Sequence, residues 1–195
     1  MNNHAGRKML KVAAVLGFIG PMLVLGSDLV NIFGGYKFAW SIGLFWGFAM
    51  LIPAVVGLTY VVTKNDSRVG LVAGCFAFFG LVAGAGMQAL FRVHAVLEEQ
   101  GNMDAVMQLR QTFKLIASTQ MIGLTWPIGL MLFAIASRKA WPGSYLVPAL
   151  FVVAAVSFPV GRVFFIDAAV VLSGVVFVIL FPMIAVRLLE EARTD

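Results

Sequence analysis

The chain has 195 residues, of which 61% are apolar and only 12% charged, and its formal net charge is +5. A soluble domain carries about 25% charged residues, so there is too little polar side chain here to clothe a water-facing surface, and lipid is expected to cover it. The basic residues sit at the ends of apolar runs, not among aromatics in a polar segment; this argues against a nucleic-acid partner and points to membrane orientation.

Lipid offers the backbone no hydrogen bonds, so only helices and closed barrels can span it. Barrel strands alternate apolar and polar residues over roughly ten positions. Here the apolar runs are continuous over about twenty residues, the length a helix needs to cross a core of ~30 Å. The expected fold class is all-α: one domain, 1–195, forming a polytopic membrane bundle of six transmembrane helices.

Arg7, Lys8 and Lys11 precede the first apolar stretch. Val24-Leu25-Gly26 has the look of a weak signal-cleavage site, but the run continues to Val30, so a retained first span is expected at about 10–33. The second span is expected at 38–63 and the third at 69–91. The third carries Gly70, Gly74, Gly80, Gly84 and Gly86. Gly70/Gly74 and Gly80/Gly84 have the GxxxG spacing that lets helices approach closely. That face is expected at the centre of the bundle; the alternative is a contact with a second copy or a partner membrane protein through Gly70, Gly74, Gly80 and Gly84.

An outer polar loop is expected at 92–112. Gly101-Asn102 should break it into two helical halves, Arg92–Gln100 and Asp104–Lys114. The last three spans are expected at 113–136, 145–160 and 166–188. Pro21, Pro53, Pro127, Pro148, Pro159 and Pro182 place a proline in every span except the third. The plain reading is helix shaping; the sharper one is broken helices around a ligand cavity.

Lysine and arginine set the orientation. Arg7, Lys8, Lys11, Lys64, Arg68, Arg138, Lys139, Arg187 and Arg193 fall on one side; Lys37, Arg92, Arg110, Lys114 and Arg162 fall on the other. The larger set marks the cytoplasmic side, which places both termini there. Tyr60, Trp141 and Tyr145 then lie at the inner interface, with Tyr36 and Trp40 at the outer one. The expected location is a bacterial inner membrane, with membrane lipids as the surrounding partner.

Polar residues at membrane depth are costly and invite a functional reading. They gather toward the outer side. Asp28 and Asn31 close span 1. Gln88, Arg92 and His94 close span 3. Gln120, with Ser118 and Thr119, opens span 4. Arg162 and Asp167 flank the final turn. Gln88, Arg92 and Glu99 share a helical face, and His94 with Glu98 is an i,i+4 pair. The expectation is an outward-facing polar pocket for a small molecule or a lipid headgroup. Arg92 or Arg162 would hold a carboxylate or phosphate, with Asp28 or Asp167 as counter-charge. The plainer reading is that such residues solvate turns and headgroups, or that Asp28 and Arg92 join a structural ion pair.

Other chemistries find little support. His4 and His94 are the only histidines, and no HxxxH, ExxH or CxxC spacing occurs, so no metal is expected. No P-loop or dinucleotide fingerprint marks a cofactor. Cys75 is the single cysteine and reads as a small packing residue. No catalytic residues stand out. The competing functions are an accessory subunit packing through the glycine-rich third span and, ranked lowest, a lipid-modifying enzyme.

Two resemblances follow from the residue order. The basic tail, the Lys64-Asn65-Asp66-Ser67-Arg68 turn, Phe91-Arg92 after span 3 and Trp141-Pro142-Gly143 before span 5 together resemble the DUF4386 type of small bacterial multi-pass membrane protein, over most of the chain. That likeness implies no known activity. The architecture is also similar to the substrate-binding subunits of energy-coupling-factor transporters: similar length, six spans, inner termini and an outward-facing pocket. Ala13 and Gly17 give AxxxG where those subunits carry AxxxA for docking. This likeness implies binding in the service of transport.

Overall fold

The computed structural model describes residues 3–35, 37–64, 68–117 and 124–194. Every regular element among them is an α-helix: α1 (Asn3–Gly34), α2 (Lys37–Lys64), α3 (Arg68–Glu99), α4 (Met103–Ala117), α5 (Thr125–Ala140), α6 (Leu146–Phe164) and α7 (Asp167–Thr194).

Four of them, α1, α2, α3 and α7, are long and apolar enough to cross a membrane. Their outward faces are apolar. On α1, Val12, Val15, Ile19 and Met22 recur at helical spacing and are all exposed. Trp46 on α2, Phe79 on α3, Ile135 on α5, Val156 on α6 and Ile179 on α7 are exposed as well. A water-soluble bundle does not present apolar side chains all round; the protein is membrane-embedded.

Neighbouring helices run antiparallel. Gly20 faces Gly47 between α1 and α2, and Gly17 faces Ala54. Gly74 meets Thr59 and Gly84 meets Phe48 between α2 and α3. Gly80 meets Trp126 and Gly129 meets Ala77 between α3 and α5. Gly174 meets Leu25 between α7 and α1. The helices close a ring in the order α1, α2, α3, α5, α6, α7, with α2 also touching α5 and α7 across the middle. Both termini, with the α2–α3 and α5–α6 connections, therefore lie at one end, here the terminal end. The α1–α2, α3–α4 and α6–α7 connections lie at the far end.

The glycine face of α3 is turned into the bundle. A Cβ at Gly74 would lie 2.2 Å from Thr59 Oγ1, and one at Gly80 would lie 2.4 Å from the Trp126 backbone nitrogen. A Cβ at Gly86, in contrast, would meet nothing within 4 Å. The small residues thus bring α2 and α5 close to α3 and leave no glycine groove open to a partner at Gly74 or Gly80.

The expected fourth span, 113–136, is not one described helix. Phe113–Ala117 completes α4, and α5 starts at Thr125. With 16 residues α5 rises only ~24 Å, less than the ~30 Å apolar core. Pro127 falls in its first turn, where a missing N–H leaves no helix bond unmade.

The α3–α4 connection shows how the sequence stops one helix and starts the next. Gly101, at φ 69°, donates its N–H to the Glu98 carbonyl, while Asn102 donates to Leu97. This paired closure needs a left-handed residue, which glycine adopts without a Cβ clash. The Asn102 side-chain oxygen then accepts from the Ala105 N–H, capping α4.

Candidate functional site

At the far end, Asp28 on α1 is 1% exposed. Its Oδ2 accepts from Arg162 Nη2 of α6 at 2.8 Å. Its Oδ1 accepts from Trp40 Nε1 of α2 at 3.1 Å. Both carboxylate oxygens therefore have partners. The Arg162 guanidinium lies over the Phe158 ring at 4.8 Å and near that of Phe48 at 6.0 Å. A buried carboxylate needs this kind of charge and hydrogen-bond compensation, and the two rings add attraction to the cation.

Beside this pair lies a cavity of about 390 Å³, lined by Phe48 of α2, Gly80, Leu81, Gly84, Met87 and Gln88 of α3, Trp126 and Pro127 of α5, Phe158, Pro159 and Arg162 of α6, and Leu124 and Phe165 next to the helix ends. Its origin is in the helix lengths. α5 begins where Trp126 packs on Gly80, whereas α3 continues to Glu99. The next turns of α3 contribute Gly84, Met87 and Gln88 to the cavity lining. Below, Trp126 and Phe158 both pack on Phe177 of α7 at ring distances of 5.8 and 6.0 Å. That aromatic floor is continuous with the core.

Three polar atoms around this cavity are buried and lack a hydrogen-bond partner among the described residues: Gln88 Oε1, Trp126 Nε1 and Arg162 Nε. Gln88 is 7% exposed and Trp126 2%. Leaving such groups unpaired costs about 1–3 kcal/mol each, and native folds keep few of them. All three belong to residues that line this cavity, which fits a site in which a bound molecule supplies the missing partners.

The expected site residues divide. Asp28, Gln88 and Arg162 come together here. Arg92 does not line the cavity: its guanidinium lies 5.2 Å from the centre of the Phe45 ring. His94 pairs with Glu98 along α3, Nδ1 to Oε2 at 3.7 Å. Asn31 is half-buried near the end of α1, where its backbone carbonyl accepts from Gly35. Asp167 is exposed in the first turn of α7, a favourable place for a carboxylate at a helix N-terminus. Gln120, with Ser118 and Thr119, lies outside the described residues, as does Tyr36.

Trp40, Trp126, Phe48, Phe158 and Phe165 are the parts of this site that sequence reasoning did not assign to it. Trp40 reads as an interfacial belt residue until its indole is seen to hold Asp28.

Among the described residues no group of three or more His, Cys, Asp or Glu side chains forms a metal site. Comparison with protein-family models, curated proteins and solved structures gives no significant match.

Proposed function

We propose that the protein is a membrane binding protein whose far-end cavity holds a small molecule, either as a carrier or as the binding component of a transport system. The observation that carries this reading is the trio of unpartnered buried polar atoms, Gln88 Oε1, Trp126 Nε1 and Arg162 Nε, all carried by residues that line one cavity. Such groups persist in a fold when function uses them.

In the full proposal the chain crosses the membrane six times, α1, α2, α3 and α7 as full-length spans and the segments that contain the shorter α5 and α6 as the other two, and the termini face the cytoplasm. The Lys and Arg bias toward the terminal end supports that orientation. The cavity then faces outward, in a bacterial inner membrane. The competing accessory role leaned on an exposed glycine face, and α2 and α5 occupy that face at Gly74 and Gly80.

Native mass spectrometry of the purified protein in detergent tests the binding reading. Gly84→Leu is the companion variant, since Gly84 lines the cavity. A small-mass adduct held by the wild type and lost in Gly84→Leu is the expected result. The same adduct retained equally by both proteins would place binding elsewhere and sink the proposal.

A further inference from the structure

Resting on that reading of the cavity, we infer that its ligand is an uncharged, chiefly apolar molecule carrying a carbonyl-type acceptor and an N–H or O–H donor, as a carboxamide does. The inference comes from charge and from polarity.

Among the described residues Arg162 is the only charged side chain lining the cavity. It does not present a free positive charge, because Asp28 takes Nη2 at 2.8 Å and Asp28 is itself held by Trp40. The pair is electrically balanced. A carboxylate or phosphate entering beside it would leave a net negative charge in a buried, aromatic-walled space; an ammonium would leave a net positive one. Either imbalance carries a desolvation cost that no described lining residue compensates.

Polarity then defines what a neutral ligand must carry. Trp126 Nε1 and Arg162 Nε are donors that cannot accept, so they call for acceptors. Gln88 Oε1 is an acceptor and calls for a donor. The remaining walls, among them Phe48, Leu81, Met87, Pro127, Phe158 and Phe165, ask for apolar surface. A site built around hydrogen-bonding groups discriminates strongly against a ligand lacking the matching atoms.

Four matched probes test this at neutral pH: 1-naphthamide, its carboxylate analogue 1-naphthoate, its cationic analogue 1-naphthylmethylammonium, and N-dodecyl-1-naphthamide. Binding is measured by calorimetry on the full chain in nanodiscs of uncharged phosphatidylcholine, with Gly84→Leu as the control for partition into lipid. The expected result is that an amide binds about tenfold tighter than both charged analogues, the ratio that 1.4 kcal/mol supplies, and that Gly84→Leu removes the difference. Preference for the plain amide places the ligand's source in water; preference for the dodecyl amide places it in the bilayer. Tighter binding of the carboxylate or the ammonium overturns the inference while leaving the cavity reading intact. If no probe binds the wild type more tightly than Gly84→Leu, both readings fall.

Asp28→Asn supplies an independent check. It leaves Arg162 with an unbalanced charge, so the naphthoate-to-naphthamide affinity ratio should rise. An unchanged ratio in a folded variant contradicts the claim that Asp28 sets the neutrality of the site.

Discussion

Arg162 Nη2 meets Asp28 Oδ2 at 2.8 Å, although the helices that carry them, α6 and α1, are not packed on one another. α7 stands between them in the ring. The ion pair is thus a side-chain bridge across the far end of the bundle, and it borders the cavity on one side. Removing one partner leaves a buried charge unbalanced, which costs about 3–5 kcal/mol in comparable sites. Asp28→Leu and Arg162→Met should each destabilise the protein by about 3 kcal/mol, with Arg162 at the smaller end because its side chain keeps some exposure. The double variant should be more stable than either single one. Denaturation in mixed micelles checks this; strict additivity of the two losses would show that the groups do not interact.

Gln88 should show opposite effects on stability and on binding. Its Oε1 is buried without a described partner, so Gln88→Leu removes an unpaired acceptor while nearly conserving volume. The free protein should gain about 1 kcal/mol, and affinity for a donor-bearing ligand should fall about tenfold or more. Thermal unfolding paired with calorimetry separates the two. A loss of both stability and binding would mean that Gln88 is structural.

How much of this was legible in the sequence depends on the physics of each feature. Continuous apolar runs announce helices because lipid leaves the backbone no other arrangement, and the break at Gly101-Asn102 is visible because its chemistry is local. The boundary of α5 is set otherwise, by Trp126 seating on Gly80, a contact between residues far apart in the chain. Partner choice is equally non-local. Gln88 and Arg92 are one turn apart and share a face by spacing, yet Gln88 lines the cavity whereas Arg92 lies against Phe45. The clustering of Asp28, Gln88 and Arg162 at one end of the bundle could be read; that Arg162, and not Arg92, neutralises Asp28 could not. At the terminal end the buried Glu191 pairs with Lys64 across α7 and α2, a link that charge counting by loop assigns only to orientation.

The glycines of α3 give a sharp internal contrast. Gly80→Val would drive a side chain into the Trp126 backbone, 2.4 Å from its nitrogen. Overpacking of this kind costs typically about 1–3 kcal/mol and occasionally more, and here it should also displace the cavity floor. Gly86 has open space where a Cβ would go, so Gly86→Ala should be neutral or gain up to about 1 kcal/mol from helix propensity. Melting temperatures of the two variants in one detergent decide the matter. Equal effects would contradict the tight α3–α5 approach.

Phe165 offers the last test, because it joins backbone strain to the cavity. It follows α6 in the left-handed region, at φ 56° and ψ 40°, and Ile166 donates to the Gly161 carbonyl to close the turn. A residue with a Cβ gives up about 1–2 kcal/mol in that conformation, and glycine is the usual occupant. Here the chain keeps a phenylalanine whose side chain lines the cavity while most of its surface stays exposed. Phe165→Gly should therefore stabilise the turn by up to about 1 kcal/mol and weaken ligand binding through loss of an apolar wall. Phe165→Ala separates the two contributions, since it removes the ring but keeps the strain. If Phe165→Gly is more stable and binds as tightly as the wild type, the ring has no part in the site. If Phe165→Gly and Phe165→Ala lose affinity equally while only the glycine variant gains stability, the strained turn is retained for the side chain it presents to the cavity.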